Sequence, residues 1–244
     1  MSDLMLLSLG ALSMVLGGAV KGTIGVGLPL VVIPLMSLVI PSPQAIGLMV
    51  MPVLLSNIWQ AFDSGLILQS IKRFAPLLIT QAIASIMTVK LTLALSIKQL
   101  NAMLAAAVIL AVVMMAFKPV LTINARKESL VSALMGFASG MLGGVSTLTG
   151  PVIITYLMAL KLNKDEFVGA ISVIYFCGGL PLFAAMFWFD KIGMKDLGFS
   201  TMALLPMFIG LALGKRLRGK LNEEVFRKLL FAFLVAVSIV LLLK

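Results

Sequence analysis

The sequence predicts an all-α polytopic membrane protein, and three observations carry that prediction. Of its 244 residues 61% are apolar and only 11% charged, where a soluble domain carries about 25% charge; there are too few polar side chains to cover a globule. Apolar stretches long enough to cross a hydrocarbon core of about 30 Å recur from end to end. The basic residues sit in the short gaps between those stretches, as in loops that face the cytoplasm. The net charge of +10 therefore points to lipid headgroups, not to nucleic acid.

In chain order, apolar helices are expected over 4–20, 28–40, 45–62, 73–95 and 98–117. After a polar stretch from Lys118 to Glu128 come 129–142, 151–160, 167–189, 198–218 and 225–243, which makes 8–10 membrane segments. Met1–Asp3 carries an acid instead of a basic leader, so the first segment reads as a retained helix. The segments 28–40 and 151–160 span only about 15–20 Å at 1.5 Å per residue. Each follows a glycine-rich break: Lys21 to Pro29, and Gly143 to Pro151. The segment 167–189 closes on Trp188, an interfacial anchor.

The two breaks belong to an internal repeat of 1–122 and 123–244, five segments each. A shift of 118 places Gly18, Gly22 and Gly25 on Gly136, Gly140 and Gly143. Gly47 falls on Gly169 at a shift of 122, and Phe62-Asp63 on Phe189-Asp190 at 127. Each half makes an odd net number of crossings, so the second enters from the opposite face. Charge agrees: twelve basic residues, among them Lys21, Lys72, Arg73, Arg126, Lys127 and Lys215, fall on one side and five on the other. The richer side is cytoplasmic, which predicts an inverted repeat in the cell membrane with both termini outside the cytoplasm.

Inverted repeats with short, glycine-interrupted segments at matching positions point to a transporter's binding site. A half-helix that starts inside a membrane leaves N–H groups that lipid cannot satisfy, and its dipole favours an anion there. The two N-termini are expected to meet near the middle of the membrane from opposite sides. Gly22, Gly25, Gly27, Gly143, Gly144 and Gly150 would let the chain turn and approach a ligand without a β-carbon. Thr23, Ser146, Thr147 and Thr149 would add hydroxyls, and Pro29 and Pro151 suit a first helical turn. Close helix packing is the competing use of such glycines. Lys21 has two readings, an anion contact or a lysine snorkelling at a helix end. Asn57, Gln60 and Tyr175 either reach the same site or tie helices together.

All nine acids lie in loops or at segment ends. A cation or proton-coupled carrier usually keeps a carboxylate within a span, so a small anionic substrate is expected beside the lipid bilayer. The chain has no histidine and one cysteine, Cys177, which excludes an internal disulfide and a histidine or thiolate metal site. No cofactor or metal is expected, and a homo-oligomer is compatible with this reading.

At these residues the chain resembles the TauE/SafE sulfite exporter family. The resemblance is carried by Gly17-Gly-Ala-Val-Lys-Gly-Thr-Ile-Gly-Val-Gly-Leu-Pro29 with Pro34 and Pro41-Ser-Pro43, and by Gly136-Phe-Ala-Ser-Gly140-Met-Leu-Gly-Gly144 with Gly150-Pro151 and Tyr156-Leu157. It covers essentially the whole length, although Gly25-Val-Gly27-Leu departs from the family's usual run of consecutive glycines. The resemblance implies movement of sulfur-containing oxyanions such as sulfite or sulfoacetate. The rivals are a membrane-embedded enzyme, for which the spans hold no acid–base pair, and an assembly subunit, for which no docking domain is present.

Overall fold

The computed structural model describes residues 3–24, 26–116 and 123–217. Gly25 and the expected helix 225–243 lie outside the described residues. In chain order the helices are α1 (Asp3–Ile24), α2 (Leu28–Ser37), α3 (Ser42–Gly47), α4 (Val50–Ser64), α5 (Ile67–Arg73) and α6 (Ala75–Leu91). They continue as α7 (Ile97–Ala116), α8 (Glu128–Ser146), α9 (Gly150–Ala159), α10 (Lys164–Trp188), α11 (Met194–Met202) and α12 (Leu204–Leu217). Among the described residues there is no strand. Among the described residues six stretches are long and apolar enough to cross a membrane: Met5–Thr23, Ser42–Ser64, Ala75–Ala94, Glu128–Ser146, Glu166–Trp188 and Met194–Leu217. Large apolar side chains stand open on their outer faces, Trp188 and Leu205 among them, which is tolerable only against lipid. The protein is an all-helical, multi-pass membrane protein.

Several expected boundaries move, each for a local reason. The expected helix 4–20 runs on to Ile24, because one glycine in Lys21-Gly-Thr-Ile costs a helix only about 1 kcal/mol and Gly22 recovers it by packing. The expected 45–62 begins earlier, at Ser42, with Pro43 in the first turn of α3. It is interrupted at Leu48–Met49, since Pro52 has no N–H to offer the carbonyl four residues back. The helix α5 was not expected at all. α10 starts at Lys164, not 167, on a capping box: Glu166 N–H donates to Asn163 Oδ1 (2.9 Å) and Asn163 N–H to Glu166 Oε2 (3.2 Å). The expected 198–218 is two helices, α11 and α12, parted at Ala203, where Pro206 leaves the same gap in the ladder.

The chain divides into two compact units, interleaved along the sequence. Unit one draws on Met1–Pro52, Ser96–Val112 and Ile192–Lys244; unit two on Val53–Leu95 and Val113–Lys191. Each takes segments from both halves of the chain.

Unit one is built on the pair α1 and α12. A β-carbon on Gly18 would strike the carbonyl of Met207, and one on Gly22 that of Leu211; from the other side Gly210 abuts the Val15 carbonyl and Gly214 that of Ala19. These contacts advance together along both helices, so the pair is parallel. α2 runs back along α1, its Val32 and Leu28 against Gly17 and its Met36 against Gly10. Ser42 of α3 donates to Asn101 of α7, and Ser200 of α11 donates to the Leu48 carbonyl at 3.1 Å.

Unit two repeats the plan with α6 and α8. Gly136 and Gly140 lie against the carbonyls of Leu77 and Gln81, and Gly144 against Ser85 and Thr88. That pair is also parallel. Arg73, beside the start of α6, grips Glu128, the first residue of α8, through two hydrogen bonds of 2.7 and 3.2 Å. In both units bare backbone is brought against bare backbone, the packing that holds helices together where the solvent is itself apolar.

Candidate functional site

The second break joins α8 to α9 inside unit two. α8 ends at Ser146, and the next residue, Thr147, adopts the left-handed conformation (φ 57°) in which its N–H reaches the Gly143 carbonyl at 2.7 Å. Glycine is the usual residue there; a β-branched one is held only by its surroundings. Those surroundings are hydroxyl bonds. Ser146 Oγ donates to the Leu142 carbonyl (2.8 Å) and accepts from Leu148 N–H (3.2 Å), and Thr147 Oγ1 donates to the Ser146 carbonyl (2.7 Å). Two of the expected hydroxyl donors thus spend their protons on the turn itself.

What the turn leaves open is the start of α9. Ile153 N–H bonds the Thr149 carbonyl at 3.3 Å. Pro151 has no N–H, and the N–H groups of Gly150 and Val152 have no acceptor among the described residues. Tyr175 of α10 aims its hydroxyl at this point, 2.9 Å from where a β-carbon of Gly150 would stand. That hydroxyl is buried and has no partner among the described residues. Two main-chain donors and a buried phenol therefore converge on one helix start, where a β-carbon at Gly150 would crowd the phenol.

The first break joins α1 to α2 inside unit one. Gly27 is the cap of α2 in the left-handed region (φ 104°), and here the conformation does require glycine. Val31 N–H bonds the Gly27 carbonyl at 3.3 Å, Pro29 has no N–H, and those of Leu28 and Leu30 have no acceptor among the described residues. Its surroundings are apolar. Leu28 is 1% exposed and Val20 is the side chain nearest Gly27. Lys21, in the last turn of α1, is 5% exposed, so protein encloses its chain.

The remaining expected site residues fall as follows. Gly22 and Gly144 lie within α1 and α8 and serve close packing rather than a turn, and Gly143 lies within α8 under the Thr149 methyl. Thr23 Oγ1 donates back to the carbonyls of Ala19 and Val20. The Thr149 hydroxyl makes no hydrogen bond among the described residues. In α4, Asn57 Nδ2 donates to the Val53 carbonyl at 2.8 Å, while Gln60 Oε1 is buried without a partner among the described residues. The sequence reading passed over Gln81, a buried amide whose Oε1 is likewise unpartnered; its signal was a lone glutamine seven residues into an apolar span, Ala75–Ala94. No group of histidine, cysteine, aspartate or glutamate among the described residues could hold a metal ion.

Compared with known proteins, the chain matches no curated protein and no solved structure. It does match one family model, "Sulfite exporter TauE/SafE", over residues 10–241. With six apolar spans among its described residues and that match along nearly its whole length, the chain belongs to the TauE/SafE sulfite exporter family of membrane transporters.

Proposed function

We propose that this transporter moves small oxyanions, sulfite or organosulfonates such as sulfoacetate, by alternating access, with the start of α9 at the second helix break as the element that contacts the anion. The observation that carries the reading is the start of α9. Free N–H groups at a helix N-terminus bind oxyanions without any cationic side chain, and the Tyr175 hydroxyl adds a third donor that has no partner among the described residues. Spans that carry acids only near their ends suit such a guest; an outward-positive potential of 100 mV then favours export of a monoanion by about 2.3 kcal/mol, or about fiftyfold. Among the described residues the spans hold no histidine and no group of acids or thiols that could hold a metal, which favours transport over an enzyme.

The orientation we propose has both termini outside the cytoplasm and an inverted repeat of 1–122 and 123–244. Two features support it. The charge asymmetry puts the ends of α1 and α12 on one face, as a parallel pair needs, and likewise the starts of α6 and α8. The matching glycine contacts of the two pairs are those of a duplicated element.

Purified protein in liposomes, given labelled sulfite, tests the function: uptake above empty liposomes is expected, and its absence at every pH and potential would sink the reading. In a Cys177→Ala background, a cysteine at Asn124 should label only from the cytoplasmic side. Labelling from outside would reverse the orientation.

A further inference from the structure

Gln81 is 2% exposed and belongs to the span Ala75–Ala94. It sits where three helices of unit two meet. Its carbonyl lies against Gly140 of α8, and its side chain fills the place of a missing β-carbon at Gly178 of α10, with the amide carbon and nitrogen 2.6 Å from where that β-carbon would stand. Gly178 is three residues beyond Tyr175, so the amide lies one turn along α10 from the residue that reaches the start of α9. The Gln81 side chain makes no hydrogen bond among the described residues, and its Oε1 is sealed from solvent.

A primary amide kept unpaired in a membrane interior is costly. Leucine or methionine would fill similar volume at no such cost. The notch at Gly178 holds the amide in one position instead of letting it turn out to a carbonyl, which is how a group is kept ready for a guest.

We propose that Gln81 is a substrate-binding residue of this transporter, its amide offering a hydrogen bond to the oxyanion that Tyr175 and the α9 N-terminus receive. The inference rests on the transport reading above. A half-turn of the amide exchanges its nitrogen and oxygen, so one residue serves both kinds of oxygen on such a guest. N–H meets a charged oxygen, and the amide oxygen meets the proton of a singly protonated oxyanion. The phenol supplies one hydrogen, and the main chain only N–H; Gln81 adds an amide oxygen as a further acceptor.

The test sets stability against transport in one variant. Gln81→Met keeps the length and removes the amide. The full-length variant in detergent should melt at or above the wild-type temperature, because an unpaired polar group has gone. In liposomes its half-saturation for sulfite should rise about tenfold to a hundredfold, as expected for losing a hydrogen bond to a charged group. Sulfite should also protect it less against heating than it protects the wild type. A second variant, Gly178→Ala, should raise half-saturation in the same direction, since the new methyl displaces the amide.

Gln81→Met transport with wild-type half-saturation would overturn the inference while leaving the transporter reading intact. A Gln81→Met protein that melts well below wild type or fails to assemble would overturn it too, because the amide would then be holding the bundle. If the wild type neither moves sulfite nor is stabilised by it, the transport reading falls, and this inference with it.

Discussion

In the first break the residue that starts the returning helix is Leu28, 1% exposed; in the second, 122 positions on, it is Gly150, with a tyrosine hydroxyl where a side chain would be. The backbones agree closely. Each returning helix has 10 residues, proline at its second position and a first main-chain bond of 3.3 Å to its cap residue. The left-handed residue differs: the cap glycine itself, Gly27, in one, and Thr147, two residues before the cap, in the other. So one geometry, two free N–H groups beside a proline, appears once in an apolar setting with a lysine a turn away and once among hydroxyls. Backbone geometry alone does not define a binding site. The side chains that leave or close the space around it decide which break meets a ligand by direct contact, and these favour the second.

The sharpest way to break that comparison is Gly150→Val. A β-carbon there meets the Tyr175 hydroxyl at 2.9 Å, and the second branch fills what remains of the space over the free N–H groups. Gly150 has no positive φ, so valine is not forced into the left-handed region. Sulfite uptake should be abolished while the protein still inserts and elutes as wild type from a sizing column. Retained uptake would mean the anion passes elsewhere.

Tyr175→Phe follows in size. The hydroxyl has no protein partner among the described residues, so its removal should leave the melting temperature unchanged or slightly raised. Half-saturation should rise about tenfold to a hundredfold if that group donates to a charged oxygen. Destabilisation with unchanged half-saturation would show the phenol to be structural.

Gly27→Ala should separate the two breaks. Alanine at φ 104° costs about 1–2 kcal/mol of strain, and among the described residues the added methyl meets Val20 at 3.2 Å. Thermal stability should fall, with sulfite half-saturation little changed in the protein that remains folded. An alanine there that raised half-saturation as Gly150→Val abolishes uptake would make the breaks equal partners.

How much of this was legible in the sequence varies with the range of the forces involved. The spans and both short helices could be read because lipid requires long apolar runs and proline after glycine marks a helix start. The extent of the breaks could not. Gly22, Gly143 and Gly144 look like hinge glycines, but whether a glycine turns or packs depends on what lies opposite: for Gly22 it is the Leu211 carbonyl, nearly two hundred residues away along the chain. The hydroxyls of Ser146 and Thr147 looked free and are spent locally, a competition between side chain and backbone that composition does not reveal. Tyr175 was read as a candidate; Gln81 was not, because a single amide in an apolar run carries no periodicity. Its meaning comes from the missing β-carbon of Gly178 on another helix.

The smallest expected effect belongs to Lys21. A lysine that snorkels extends to the headgroups with its amine in the open, whereas Lys21 is 5% exposed, one turn before the first break. Any charge it carries therefore acts through protein, not water. Lys21→Met should raise sulfite half-saturation severalfold, and Lys21→Arg should restore most of the loss, since charge and not shape is at issue. The salt dependence of uptake sharpens the test, because salt screens a charge enclosed by protein much less than one in water. The difference in half-saturation between wild type and Lys21→Met should therefore persist at high ionic strength. If Lys21→Met transports as wild type at every ionic strength, the first break takes no electrostatic part. The asymmetry between the breaks would then be complete, one serving to turn the chain and the other to hold the anion.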